Sequence, residues 1–461
     1  MSEPIGSQAR PARIAVIGAG PAGFYAIEAL LKQQNFYSTI DLFNRFPTPY
    51  GLVRDGVAPD HESMKTVTRT YDKLAEHTSV HYFGNVTFGS DIQHDDLKQF
   101  YDQIVYAVGA QADRKMGIAG EDLTGSYPAT AFVGWYNGHP DYRDFEVDLS
   151  CERVIVVGNG NVAMDVARLL VTAPDELAKT DIADHALEAL RESQVREVVM
   201  LGRRGPAQAA FTTPELREFG KLAGVKVIVD PQELENQVIP LNDKMAERNL
   251  SVLRDFAART DQIGERHMHF RFLVSPVEVI GENGKVAAVR IERNELVPDG
   301  SGGMKAKGTG VYETLDAGMV LRSVGYCCVP LPDVPFDDKT LKIPNVAGRV
   351  TQGVGGEVVA GEYVVGWAKR GPSGVIGTNR QDSAATVVSM MADLPNLEGI
   401  ADENRDPQKM IDFLKASGVD YVNYEEWKRL DAHESARGAE QSRPRVKVTR
   451  ISEMIEIIRR A

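Results

Sequence analysis

The sequence predicts an α/β fold in which two Rossmann-like lobes share one chain, the second inserted into the first. Three observations predict it. The β-branched run Ile14-Ala15-Val16-Ile17 enters Gly18-Ala19-Gly20-Pro21-Ala22-Gly23 and then a helical pattern. A second run, Val154-Ile155-Val156-Val157, enters Gly158-Asn159-Gly160-Asn161-Val162-Ala163 and another helical pattern. Beyond Pro330, the strand-like Tyr363-Val364-Val365-Gly366-Trp367 reads as the return of the chain to its first lobe. Each glycine turn has the context that a dinucleotide requires: a tight turn, close backbone approach to a pyrophosphate, and a helix N-terminus aimed at its charge.

In order, the first lobe opens with a strand at 13–18 and a helix at 21–32, followed by a strand at 39–44. Further strands are expected at 85–89 and 103–108. Residues 111–150 are rich in Gly, Pro and aromatics and cross to the second lobe. There the strand at 197–201 follows its glycine turn at about twice the usual ~20 residues, so the charged stretch 174–196 implies an inserted helix. Alternation at 268–278 and 285–293 predicts a hairpin-rich region, and 319–325 a closing strand. A helix is expected at 378–393, then a charged helical tail with a Ser/Arg/Pro-rich linker near 439–445. The lobes therefore divide as 12–110, 111–328 and 329–461.

Composition narrows the chemistry. At 461 residues the chain holds two or three domains. Fifty-two basic against 65 acidic residues give a net charge of −13, which disfavours nucleic acid. No apolar run approaches the ~20 residues of a membrane helix, and Met1 to Arg10 lack the apolar core of a signal peptide; a cytoplasmic setting is expected. Cys151, Cys327 and Cys328 form neither C-x-x-C nor C-x-x-x-x-C. That spacing excludes a redox dithiol and a resident metal cluster.

The residues after each second strand choose the nucleotide. Gly202-Arg203-Arg204-Gly205-Pro206 stands where an NAD site carries an acid. Two arginines instead suit the 2′-phosphate of NADP(H). In the first lobe the ribose position falls on Asn44, which retains one acceptor oxygen. Asp41 is the alternative, on the opposite face of the strand. Paired fingerprints with different ribose readers point to FAD and NADP(H) on one chain.

Longer segments carry a resemblance. They are Gly18-x-Gly20-Pro21-Ala22-Gly23-Phe24-Tyr25, Pro49-Tyr50-Gly51-Leu52-Val53-Arg54 running on to His61, and Gly158 through Arg168. To these add Gly202 through Pro206 with Phe211-Thr212-Thr213-Pro214-Glu215-Leu216-Arg217, and Val365 through Thr378 with its Trp367-x-Lys369-Arg370-Gly371 core. From about residue 12 onward the chain resembles the adrenodoxin-reductase type of ferredoxin–NADP reductase. The resemblance implies electron exchange between NADP(H) and a small, acidic iron–sulfur ferredoxin through FAD: hydride from NADPH to flavin N5, then two single-electron transfers. It places Gly18, Gly20, Pro21, Ala22, Gly23, Asn44, Arg45, Gly51, Leu52 and Val86 on FAD, with Trp367, Gly374, Val375 and Ile376 around the isoalloxazine. It places Arg114, Asn159, Gly160, Asn161, Val162, Arg203, Arg204 and Glu215 on NADP(H), with Gly374 near the nicotinamide. Asn44 departs from the family's usual Glu.

His61 and Glu215 are the catalytic pair that the resemblance implies beside the nicotinamide. Read without it, His61 follows Pro59-Asp60 as a helix cap, and Glu215 is a first-turn acid suited to the helix dipole. The turn Gly371-Pro372-Ser373-Gly374 is expected to open onto a helix whose N-terminus faces the flavin. For the acidic partner, the basic candidates are Lys369, Arg370, Arg217, Lys221, Lys244, Arg248, Arg254 and Arg259. An NADPH-dependent flavin monooxygenase is the alternative enzyme, but the linker motif expected between its lobes is not found. A non-enzymatic redox sensor is the third reading, opposed by intact residues at both sites.

Overall fold

The computed structural model describes residues 3–460 apart from 236, 238, 240–242, 260–262 and 301–302. Its first sheet is built around Ala12–Ile17, a strand buried along its whole length. Ser38–Phe43 and Gln103–Tyr106 flank it in parallel, and Val80–Phe83 extends the sheet beyond Ser38–Phe43. On the other side Val358–Val364 pairs in parallel with Gln103–Tyr106, followed by the short antiparallel strands Arg349–Thr351 and Asn345–Val346. One sheet is thus assembled from both ends of the sequence. Helices Pro21–Leu31 and Thr378–Asp393 are joined by Ser383 Oγ donating to Ala22 O at 2.9 Å.

The second sheet has six parallel strands in the order Ser126–Pro128, Met319–Arg322, Arg153–Val157, Glu197–Gly202, Arg266–Phe272, Val225–Val229. Beside it lies an antiparallel sheet of Val274–Glu282, Lys285–Pro298 and Met304–Asp316. A two-stranded ribbon, Ala112–Asp113 with Tyr326–Cys327, carries the chain into and out of this lobe.

Four expectations shift, each for a physical reason. The strand placed at 85–89 lies at Val80–Phe83, because Gly84 bridges to Val422 and Asn85 turns left-handed at φ 59°. The alternation at 268–278 spans two strands of different sheets, divided by Leu273 at φ 54°. Met268, Phe270 and Phe272 alternate because one face of a parallel strand enters the main core while the other is only partly covered. The stretch 174–196 holds two short helices, Pro174–Leu177 and Asp184–Arg191. The last strand ends at Val364, and Trp367 begins a helical turn, Trp367–Arg370.

The tail binds both lobes. Helix Tyr424–Glu440 presents Glu434, which is fully buried and accepts two hydrogen bonds from Arg54 at 2.6 and 2.8 Å. Farther on, Arg443 donates to the Thr180 and Ile182 carbonyls and pairs with Asp184 at 2.6 Å. Buried Lys447 donates to Arg54 O at 2.9 Å and Asn137 O at 3.1 Å, with Asp181 at 3.4 Å.

Candidate functional site

The first glycine turn divides its labour by position. Gly18 sits at φ 110°, and a Cβ there would lie 2.6 Å from Ala107 O. A Cβ on Gly23 would meet Gly18 O at 2.3 Å, so that glycine lets helix and strand close. Gly20 has open space where a Cβ would point and caps helix Pro21–Leu31 without any side-chain hydrogen bond. A helix N-terminus left free of side chains beside open space is an anion site in form. Gly51, at φ 50°, approaches so closely that its Cβ would lie 3.1 Å from Gly20 Cα, and Leu52 next to it is exposed.

Asn44 works as a brace. Its Oδ1 accepts from Ala19 N–H at 3.2 Å, and its amide donates to Phe46 O and Thr48 O at 3.1 and 2.9 Å. Both donor hydrogens are thereby used, so a ribose hydroxyl can only donate to the second lone pair of Oδ1. Asp41 is consumed elsewhere: fully buried, it takes Arg13 at 2.6 Å, Tyr101 at 2.6 Å and His81 at 2.9 Å. Arg45 is exposed, pairs with Asp141 and lies over the Phe46 ring. Val86 is buried, with its N–H on Asn44 O at 3.0 Å.

The second turn repeats the design. Gly158, at φ 131°, would place a Cβ 2.1 Å from Ser323 O, whereas Gly160 faces open space and starts helix Asn161–Val171 uncapped. Asn161 Oδ1 accepts from Thr212 N–H at 2.9 Å, and Asn159 O accepts from Ala210 and Phe211. The Asn159 Nδ2 is buried without a hydrogen-bond partner among the described residues. Val162 is half-buried at the same helix start. Arg203 is exposed and Arg204 half-buried, and neither has an ion pair among the described residues. The backbone holds their turn: Asn294 Nδ2 donates to Arg203 O at 2.9 Å and Leu273 N to Arg204 O at 3.1 Å. Arg114 is exposed beside Gly325, whose carbonyl accepts its N–H at 2.9 Å.

Where the two halves meet, His61 from the first faces carboxylates from the second. Its Nε2 lies 3.0 Å from Glu218 and 3.5 Å from Glu215, and its Nδ1 lies 3.7 Å from Asp165. Arg168, nearly inaccessible, donates to Asp60 at 2.7 Å, Asp165 at 2.8 Å and Glu215 at 3.2 Å. Arg168 and the His61 imidazole therefore face four carboxylates, Asp60, Asp165, Glu215 and Glu218. Burial opposes charge on His61, as does Arg168, but Glu218, Asp165 and Glu215 prevail and hold its pKa above the ordinary value. Burial, then the Asp165 charge, raises Glu215, and burial raises Asp165. The hydrogen bond to His61 lowers Glu218, and Arg168 lowers Asp60 against the cost of burial. Although His61, Glu215 and Glu218 are close enough to ligate an ion together, Arg168 already contacts both glutamates.

The segment after Trp367 is open on one side. Trp367 stacks on Tyr326 at 5.5 Å and 22°, and its Nε1 donates to Ser373 O at 3.3 Å. Gly374, at φ 80°, and Val375 are exposed, and Ile376 is half-buried. The helix expected at 378–393 runs Thr378–Asp393, with Gly377 as its cap, three residues beyond Gly374. Among the basic candidates, Lys369 and Arg370 are turned inward onto Asp382, at 3.1 and 3.5 Å. Arg217, Lys221, Arg248 and Arg254 are exposed, with no ion pair among the described residues. Lys244 is also exposed, and Arg259 lies over Phe256.

Residues 12–204 match the family described as "Pyridine nucleotide-disulphide oxidoreductase". The chain is 47% identical to the NADPH-ferredoxin reductase FprA of Mycobacterium tuberculosis, over 97% of this chain and 99% of that one. It is 39% identical to the mitochondrial NADPH:adrenodoxin oxidoreductase of Salvelinus fontinalis, covering 97% and 91%. The chain belongs to the adrenodoxin-reductase type of ferredoxin–NADP reductases. The solved M. tuberculosis FprA in complex with NADPH superposes on this reductase with a TM-score of 0.93 at 46% identity, covering 97% and 100%. The reductase's three cysteines are free, so the disulphide chemistry in the broader family's description has no dithiol here.

Sequence reasoning missed the partners of His61. Asp60 is its neighbour, Glu218 lies three residues after Glu215, and Asp165 three before Arg168. On helices that spacing puts both members of each pair on one face, a signal that was available. The Tyr326 stack on Trp367 had no such signal, because it depends on the two-stranded ribbon.

Proposed function

We infer that this chain is an FAD-dependent ferredoxin–NADP reductase, passing electrons between NADP(H) and a small acidic iron–sulfur ferredoxin. The observation that carries the reading is the pair of uncapped helix N-termini behind Gly20 and Gly160, with the Arg203–Arg204 turn, free of ion pairs among the described residues, beside the second. The residues present fit the groups. Gly20 and Gly160 leave space where the neighbouring glycines leave none, and the buried Asn159 Nδ2 is a donor awaiting an acceptor. FAD, when bound, supplies the conversion between a two-electron hydride donor and a one-electron acceptor.

Gly18, Gly20, Pro21, Ala22 and Gly23 would hold the FAD pyrophosphate, Asn44 and Arg45 its adenosine side, and Gly51, Leu52 and Val86 its middle. Trp367 with Gly374, Val375 and Ile376 would border the ring. Asn159, Gly160, Asn161 and Val162 would hold the NADP pyrophosphate, with Arg114 beside it, and Arg203 and Arg204 the 2′-phosphate. His61 and Glu215 would orient the nicotinamide. Nicotinamide gains positive charge as it gives up hydride, and the four carboxylates around Arg168 favour that charge. The exposed arginines of helix Lys244–Ala258 suit an acidic partner, and three free thiols suit a reducing, cytoplasmic compartment.

Anaerobic NADPH should bleach the flavin absorbance, and oxidised ferredoxin should restore it in one-electron steps. Bleaching by NADPH with recovery only by oxygen would favour a monooxygenase, and no bleaching at all would leave a binding protein.

A further inference from the structure

The Arg203–Arg204 turn lines a cleft of about 430 Å³ whose opposite wall is the antiparallel hairpin: Glu292, Asn294, Met304, Lys305, Ala306 and Gly308. The hairpin is fixed to the turn. Asn294, nearly buried, donates through Nδ2 to Arg203 O at 2.9 Å and to Ser275 Oγ at 2.7 Å, and its N–H reaches Leu273 O. From that anchor the pairing Asn294 with Gly308, Leu296 with Ala306 and Val297 with Lys305 sets which residues border the cleft.

The two lysines here differ in what they already hold. Lys307 faces Glu295 across the ladder and pairs with it at 3.1 Å. Lys305 is exposed, borders the cleft, and has no ion pair among the described residues. Among the described residues that line the cleft, three cations, Arg203, Arg204 and Lys305, thus meet a single carboxylate. That carboxylate, Glu292, is tied back by Gly310 N–H at 2.9 Å. The surplus of two positive charges matches a phosphate monoester, which carries about −1.5 to −2 at neutral pH.

We propose that Lys305 is a third reader of the NADP 2′-phosphate, supplied by the hairpin opposite the arginine turn. This rests on the reading of Arg203 and Arg204 as 2′-phosphate ligands. Lys305 adds a point charge on a flexible stem, where the arginines add forked donors.

The test uses the full-length holoenzyme and calorimetric titration with adenosine 2′,5′-bisphosphate and adenosine 5′-monophosphate, which differ only in the 2′-phosphate. Lys305→Ala should loosen the bisphosphate ~3–10-fold and Lys305→Glu further, with the monophosphate changed less than about twofold. Lys307→Ala should leave both unchanged. Arg203→Ala and Arg204→Ala serve as the reference. If they lose the bisphosphate preference and Lys305 variants keep it, Lys305 is not a reader and the proposal is overturned alone. If neither set changes the preference, the arginine reading falls with it. Equal loosening of both probes by Lys305→Ala would also overturn the proposal, since the contact would then be to the shared adenosine.

Discussion

Replacing Arg203 and Arg204 together by Ala isolates the nucleotide choice, because the structure separates their side chains from their backbone. The turn is held by Asn294 and Leu273 through the two carbonyls, so it survives loss of both guanidinium groups. Neither side chain has an ion pair among the described residues, so truncation strands no buried carboxylate. What should disappear is the proposed contact to the 2′-phosphate. A hydrogen bond to a charged group contributes ~1.5–3 kcal/mol; exposed Arg203 belongs at the low end and half-buried Arg204 higher. Together they give ~3–4.5 kcal/mol, about two to three decades in affinity at ~1.4 kcal/mol per decade. The assay is anaerobic flavin reduction against nucleotide concentration, for NADPH and NADH with both proteins. These four measurements form a cycle in which the 2′-phosphate is the second deletion. NADPH should lose those decades in half-saturation while NADH changes little, and the limiting rate with NADPH should persist. Equal losses for both nucleotides would refute the assignment.

Four other outcomes are expected. Asn44→Leu should release FAD readily, since it removes one acceptor and leaves Phe46 O and Thr48 O without their donor; Asn44→Glu restores an acceptor but no donor and should fall between. FAD retention unaffected in both, followed by flavin fluorescence, would move the ribose contact. The hydrogen bond to Glu218 helps raise the His61 pKa, so Glu218→Gln should move the His61 limb of the kcat/KM profile to lower pH, and an unmoved limb would dismiss that link. Charge reversal at Arg248 and Arg254 should slow ferredoxin association at low salt as physiological salt slows the wild type, with small acceptors little affected; unaffected variants would put docking on another face. Burial pushes the Lys447 ammonium down to about 7. The unfolded chain keeps that proton up to its ordinary pKa, so stability should rise with pH from about 7 upward, by ~1.4 kcal/mol per unit. The Tm difference between wild type and Lys447→Met should follow this slope, and parallel curves would refute it.

Both lobes were legible because each begins with a local signal: a β-branched strand, a glycine turn and a helix fall within about twenty residues. Gly18, Gly20 and Gly23 could be assigned their separate tasks from the motif alone, and so could Gly158 and Gly160. The place of Arg203 and Arg204 directly after the next strand is legible for the same reason. The rest depended on distant pairing. Strand Arg266–Phe272 alternates like half of a hairpin, and only its two parallel neighbours reveal its sheet. Asn44 was read as a ribose contact, and its bracing of Ala19, Phe46 and Thr48 emerges only when the loop is folded. Lys369 and Arg370 read as available to a partner from sequence alone, because Asp382, which holds them, lies twelve or more residues on.

The sheet made from both ends of the chain imposes an order on synthesis. All six strands of the second sheet lie between residues 126 and 322, so that lobe can complete itself while the ribosome is still at work. The first lobe cannot. Strand Gln103–Tyr106 waits for Val358–Val364, about 250 residues away, or roughly 12–50 s at ~5–20 residues per second. During that interval it is an open, apolar sheet edge, the kind of surface that invites pairing with another chain. The last-made part of the protein thus protects its first-made part, and expression should be more sensitive to slowed translation before residue 358 than to the same delay after it.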